Sequence, residues 1–358
     1  MPRAVLDMMD RRPIWAMPGW VSEEIRSILP AEWELIVIDE ATDGSGDGPT
    51  PITRPMSPVV LEAAAKADLY FGYGIPEALL EAAQGLRWVH SGAAGVGGSL
   101  TPLMLESHVI FTNSARVHAK PMAETVLAMI LYFGRGLDLA VANQKESIWN
   151  TDPYYREGAP LSELSELTIG VLGFGGVGYE VSRRVADLGA SVLALRRKSS
   201  VEDGIFEADG LATGRIEVLY GDEGFNACLT QSDVLVLAVP DTPETRGMMD
   251  RKAFAQMKEG AVLVNVARGK VIDEAALIGA LDSGRLRGAA LDVFQKEPLR
   301  EDHKLWSRSN VLITPHVSAV SRGFWRRETD LILHNLQCYL DGSPINQWRN
   351  IVDKVAGY

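Results

Sequence analysis

Along most of the chain, short apolar runs rich in β-branched residues alternate with stretches whose apolar residues recur every three to four positions. Buried strands give the first pattern and amphipathic helices the second, so the alternation predicts βαβ units around parallel sheets. Near the start, residues 14–17 and 35–38 read as strands around a helix over 21–29. Residues 42–51, TDGSGDGPTP, predict a loop. A helix over 59–66, a strand over 68–72, a helix over 76–83 and a strand over 86–90 follow, the last running into SGAAGVGG at residues 91–98. The pattern then restarts more strongly. Strands are predicted at 168–172, 191–195, 216–219, 234–239, 261–266, 288–291 and 311–314. Helices such as 177–188 and 274–283 fill the gaps, and a long amphipathic helix over 322–340 closes the series. Two α/β modules are expected.

Length agrees with two modules, since 358 residues is about twice an ordinary domain of ~150. An apolar fraction of 46% is enough to fill two cores, which excludes wholesale disorder. Charge changes the picture more. Lys plus Arg is 35 and Asp plus Glu 47, a formal charge of 35 − 47 = −12, which suits neither nucleic acid nor an anionic membrane. Any site for an anionic ligand therefore needs local positive charge. Cys228 and Cys338 are too few for a disulfide framework, and neither they nor the histidines show metal-ligand spacing, so no catalytic metal is expected. Asp7, Asp10, Arg11 and Arg12 occupy the place where an export signal needs an apolar run. The most apolar stretch, 122–137, contains Glu124 and Arg135 and falls short of the ~20 residues that span a bilayer, so it predicts a buried or interface helix. The expectation is a cytoplasmic protein.

Gly173-Phe174-Gly175-Gly176-Val177-Gly178 fits G-x-G-x-x-G and lies between a predicted strand and a predicted helix, the context a dinucleotide site requires. Gly173 would make the tight turn, Gly175 the close approach to a diphosphate and Gly178 the helix–strand packing. The diphosphate would rest on the first amides of the helix, at Gly176 and Val177. The next strand ends in Arg196-Arg197-Lys198. An acidic residue there would hold the ribose 2′-hydroxyl of NAD, whereas a basic cluster suits a 2′-phosphate. NADP(H) is therefore preferred, with NAD(H) second. A solvated basic turn is the plainer reading.

Three further segments follow or close predicted strands: NVARGKVID with Arg268, LDVFQKEPL with Glu297 and ITPHVSA with His316. Together with SGAAGVGG, PMAETVLAMIL, ELTIGVLGFGGVG, SDVLVLAVPDTPETRGMM and LWSRSNVLITPHVS, they make the chain resemble the D-isomer-specific 2-hydroxyacid dehydrogenase family over nearly its whole length. The resemblance implies two Rossmann-like, doubly wound, mostly parallel domains with an active-site cleft between them. It implies a discontinuous substrate domain, residues 1–117 completed by 316–358, and a cofactor domain over 118–315 that carries a dimerisation helix at 121–137. It also implies a homodimer that reduces a small 2-keto acid, of the glyoxylate or hydroxypyruvate kind, to a D-2-hydroxy acid.

The chemistry asks for these residue types. Arg268 can pair with a substrate carboxylate and polarise the adjacent carbonyl. His316 can donate the proton to the developing alkoxide, and Glu297 beside it favours the protonated imidazole. Singly, each reads equally well as a strand-end ion pair, a surface carboxylate and a core histidine; the three together point to a site. By resemblance, Ala94 and Gly95 hold the substrate carboxylate through backbone amides, although Gly97 stands where many members have Asp. Val239, Pro240 and Thr245 would lie beside the adenosine and ribose. Val266 and Ala267 would lie near the nicotinamide, and Asp292 would accept from its carboxamide. The alternative from another class is a nucleotide-sensing binding protein, as the corepressors of the family are.

Overall fold

The computed structural model describes residues 1–41, 56–159, 161–197 and 215–357. The expected loop at 42–51 and Lys198 lie outside the described residues. The chain divides into two compact units, Met1–His118 with Val320–Tyr358, and Ala119–Ala319.

The first unit holds five parallel strands: β1 (Arg3–Asp7), β2 (Glu34–Val37), β3 (Leu69–Gly72), β4 (Trp88–Ser91) and β5 (Ile110–Asn113). Their order is β2-β1-β3-β4-β5, the flavodoxin-like doubly wound arrangement. One expectation fails here. Residues 14–17 are a turn, in which the Trp15 and Ala16 amides donate to Arg12 O after Pro13, and the strand lies earlier at Arg3–Asp7. That strand is short, and charges frame it. Ala4, Val5 and Leu6 are fully buried, while Arg3 donates to Glu34 Oε2 (2.9 Å) and its amide to Asp68 Oδ2 (2.9 Å). Alternate residues feed the two faces: Ala4 and Leu6 join Phe71, Trp88 and the helix Phe324–Leu340, whereas Val5 joins Tyr70, Val89 and Phe111. Each large side chain buried this completely contributes roughly 1.5–3 kcal/mol. A helix from the C-terminal part thus supplies one face of the sheet's core.

The second unit holds seven parallel strands: β6 (Thr168–Leu172), β7 (Ser191–Arg196), β8 (Ile216–Tyr220), β9 (Val234–Leu237), β10 (Ala261–Asn265), β11 (Leu286–Leu291) and β12 (Val311–Ile313). Their order is β12-β11-β10-β9-β6-β7-β8, the Rossmann order with one strand added. The winding reverses between β6 and β9, and ligands of such sheets bind beyond the strand ends at that switch point.

The apolar helix expected over 121–137 runs from Ala119 to Gly134. It stops there because Gly136 takes the left-handed conformation (φ 66°) and starts a second helix, Leu137–Lys145. The apolar Leu137 made the two read as one. Ala123, Val126, Met129, Ile130 and Phe133 pack in a core with strand residues Ile169, Val171, Val236 and Val264. Among the described residues, no single helix is long and apolar enough to cross a membrane; the two helices together pass by length and composition but bend by 72°.

Candidate active site

The glycine motif forms a cradle at the switch point. Gly173 follows β6 at φ 99°, and a Cβ there would lie 2.6 Å from Ala238 O in the segment after β9. A Cβ on Gly178 would lie 1.9 Å from Gly173 O, so only glycine lets the helix Gly176–Asp187 start this close to the strand. Gly175 differs, because a Cβ there would meet nothing within 4 Å and point into open space. The first helical hydrogen bond runs from Tyr179 N–H to Gly175 O (2.9 Å), which leaves the amides of Gly176, Val177 and Gly178 in the turn without intrahelical acceptors. Donors around open space at a helix N-terminus fit a dinucleotide diphosphate.

Arg196 ends β7 half-buried and Arg197 beyond it is exposed. The positive charge of Arg197 reaches Glu244, whose carboxyl is held below its ordinary value first by Thr242 and also by that charge. Of the other expected cofactor contacts, Pro240 is exposed and Val239 half-buried, while Val266 and Ala267 are core residues. Thr245 ties its own turn, since its hydroxyl donates to Pro240 O (2.6 Å) and accepts from Thr242 N–H (2.9 Å).

The structure brings Arg268, Glu297 and His316 together, and topology explains why. β10, β11 and β12 are adjacent and parallel, so the segments leaving them share one edge, with Arg268 after β10, Glu297 after β11 and His316 after β12. Gly269 permits the closeness, because a Cβ there would sit 1.8 Å from the Phe294 carbonyl carbon. His316 Nδ1 lies 2.7 Å from Glu297 Oε2, and Phe294 N–H donates to Glu297 Oε1 (2.9 Å). An ionised carboxylate only accepts, so Nδ1 carries a proton and Nε2 is the nitrogen able to exchange one with a substrate. Burial pushes the Glu297 carboxyl up, but the His316 hydrogen bond, the Phe294 amide and the charges of His316 and Arg268 outweigh it and hold it below its ordinary 4.5. Arg268 is steadied by its own backbone, with Nη1 donating to Ala267 O (2.8 Å).

His316 adopts φ 54°, a conformation that costs a non-glycine residue of order 1–3 kcal/mol unless its surroundings impose it. Asp292 imposes it. This fully buried carboxylate accepts from Thr314 Oγ1 (2.6 Å) and Val317 N–H (2.9 Å) on Oδ1 and from Ser318 N–H (3.0 Å) on Oδ2. The His316 amide donates to Asp292 O (2.8 Å). Asp292, expected to face a carboxamide, is therefore committed to the turn that presents the imidazole, and a carboxamide would have to share its oxygens. No sequence pattern announced that task; Thr314, two residues before the histidine, was its faint trace.

A depressed carboxyl such as Glu297 stabilises the fold above its ordinary value, and that contribution is lost only as pH falls through the lower, folded-state value. The Glu297 carboxylate is accordingly ionised throughout the neutral range. Glu297→Gln keeps the shape and removes the charge that favours imidazolium. A reduction that needs a protonated imidazole should then fail at lower pH than in the unchanged protein. Matching alkaline limbs of kcat/KM in the two proteins would contradict this.

In the first unit, Ala94 and Gly95 are half-buried after β4 and Gly97 is exposed at the start of a short turn, Gly97–Ser99. Asn113 Nδ2 donates to Ala94 O (2.9 Å) and Ser114 N–H to Ala93 O (3.3 Å).

Residues 127–318, more than half of the chain, match the D-isomer specific 2-hydroxyacid dehydrogenase, NAD binding domain. A D-3-phosphoglycerate dehydrogenase from Archaeoglobus fulgidus is 30% identical over 273 residues, 76% of this chain and 49% of that protein, so the chain spans about half the length of that relative. A glyoxylate/hydroxypyruvate reductase A from Salmonella newport is 29% identical over 289 residues, 79% of this chain and 85% of its own. A D-isomer specific 2-hydroxyacid dehydrogenase from Xanthobacter autotrophicus, solved with NADPH and MES, superposes with a TM-score of 0.76 at 26% identity, covering 100% of this chain and 99% of the other. With a dinucleotide cradle and an Arg–Glu–His set along one sheet edge, the chain belongs to the D-isomer specific 2-hydroxyacid dehydrogenase family of NAD(P)-dependent oxidoreductases.

Proposed function

We propose that this protein uses NADPH to reduce a small 2-keto acid, such as glyoxylate or hydroxypyruvate, to the D-2-hydroxy acid, and catalyses the reverse. The observation that carries the reading is the 2.7 Å contact of His316 with Glu297 beside Arg268, on the sheet that also holds the glycine cradle. The dinucleotide, when bound, supplies the hydride. Arg268 pairs with the substrate carboxylate and draws charge onto the carbonyl oxygen. His316 gives that oxygen a proton from Nε2 as it becomes an alkoxide, and takes one back in the oxidation. Glu297 holds the ring and balances the imidazolium. The amides of Ala94 and Gly95 are proposed as further partners of the carboxylate.

The amides of Gly175, Gly176, Val177 and Gly178 would hold the diphosphate, and Arg196 and Arg197 the 2′-phosphate. A single charge-assisted bond is worth ~1.5–3 kcal/mol, so Arg197→Ala should raise KM for NADPH by about 10–100-fold and leave KM for NADH nearly unchanged. Equal losses with both cofactors would count against the 2′-phosphate assignment.

A homodimer is proposed as well. It is supported by exposed apolar side chains after the helix Ala119–Gly134, namely Leu137, Val141, Ile148, Tyr155 and Trp149, the last 95% exposed. The deciding experiment for the function is NADPH oxidation over a panel of 2-keto acids. Turnover supports the reductase; tight NADPH binding with no turnover of any of them supports a nucleotide sensor instead.

A further inference from the structure

We propose that the C-terminal part of the first unit sets the position of the substrate-carboxylate loop, with Glu328 and Asn350 as positioning residues acting through Ser114 and Asn113. This rests on the reading of Ala94 and Gly95 as carboxylate partners. Two chains of hydrogen bonds carry it. In the first, Glu328, on the helix Phe324–Leu340, lies fully buried with Oε1 2.8 Å from His90 Nε2. Ser114 Oγ sits 2.8 Å from both Glu328 oxygens and 3.0 Å from Ser91 O, at the point where β4 ends and the loop begins. Ser91 in turn accepts the Ala93 amide on its hydroxyl (3.2 Å). His90 Nδ1 lies 2.8 Å from Thr112 Oγ1, which also accepts from Trp88 Nε1 (2.8 Å). His90, Ser91, Thr112, Ser114 and Glu328 are all fully buried.

The second chain starts at Asn350, held at φ 56°. Its amide donates to Asn113 O (3.1 Å) and to Ala115 O, and the Asn113 amide returns a bond to Asn350 O (3.1 Å). Asn113 Nδ2 then donates to Ala94 O. Residues more than two hundred positions downstream are thereby linked to the loop at its start, Ser91, and again at Ala94.

A buried ionisable pair is a poor source of net stability compared with apolar packing, because desolvation offsets the attraction. It does restrict geometry, since each partner is costly to leave unpaired. Placed next to a loop whose amides must converge on a carboxylate, that restriction is what the site needs.

The test uses the full chain and steady-state kinetics with glyoxylate. Ser114→Ala removes the link to Ser91, and Asn350→Gly removes the amide while allowing the same φ. Each should raise KM for glyoxylate about tenfold, roughly the loss of one charge-assisted bond. Each should leave kcat within about twofold and the affinity for NADPH, bound in the other unit, unchanged. Glu328→Gln can accept from His90 and donate to Ser114, and should stay near the unchanged protein, whereas Glu328→Met should resemble Ser114→Ala. Ala94→Asp, which sets a like charge on the loop, tests the underlying reading. If Ala94→Asp leaves KM unmoved, the loop assignment fails. If it raises KM while Ser114→Ala and Asn350→Gly do not, or if these two lower kcat without moving KM, the positioning role is overturned.

Discussion

Replacing His316 with Asn should cut kcat/KM for keto-acid reduction by about a thousandfold, within the 10²–10⁴ range typical of a lost general acid. Asn is the informative choice, because it tolerates the left-handed backbone at this position (φ 54°) better than Ala and so removes the imidazole without relaxing the turn. A thousandfold loss is about 4 kcal/mol of transition-state stabilisation. It should fall on kcat, since the proton is needed as charge develops on oxygen and not when substrate docks. The ring is about one-third exposed and belongs to neither core, so the loss of fold stability should be confined to its bond with Glu297, and NADPH affinity should hardly move. Residual activity within tenfold of the unchanged protein would remove His316 from the mechanism.

Arg268→Ala should be comparably damaging, again about a thousandfold in kcat/KM, but spread over both constants. The guanidinium is assigned two tasks: binding the carboxylate, which shows in KM, and polarising the carbonyl, which shows in kcat. It is also the positive charge that an acidic protein of formal charge −12 must supply for an anionic substrate. Arg268→Lys separates the tasks. A point charge retains attraction but lacks the planar fork, so KM should recover more than kcat. Gly269, whose closeness to Phe294 depends on having no Cβ, should be left untouched in such experiments. A normal KM in Arg268→Ala would show that the carboxylate is held by other groups.

The features legible in the sequence were those written in consecutive residues. The turn after β6 announced itself because Gly173 and Gly178 meet local steric demands and Gly175 between them borders open space. Arg268, Glu297 and His316 were legible because each sits a few residues beyond a strongly apolar strand, and parallel strands align their ends. The strand Arg3–Asp7 was not, since only three apolar residues mark it and its first residue, Arg3, bonds to residues 31 and 65 positions away. Nor was the true end of the helix Ala119–Gly134, where one left-handed glycine outweighed a continuing apolar pattern. The tasks of Asp292 and Glu328 are written in tertiary contacts alone. Asp292 read from sequence as a carboxamide partner and Glu328 carried no reading, and only the packing around them shows the turn and the buried hydrogen bonds to which their oxygens are committed.

The first unit is finished by residues that follow an insertion running from Ala119 to Ala319. During synthesis, β1 to β5 emerge long before the helix that covers one of their faces. At typical elongation rates of ~5–20 residues per second, the intervening stretch leaves that apolar face covered only by the helix Gly19–Ile28 for about 10–40 s. The second unit has no such wait, since its strands and helices are contiguous in the chain. Nascent protein should therefore pass through a stage with one unit folded and an open five-stranded sheet still in need of a chaperone.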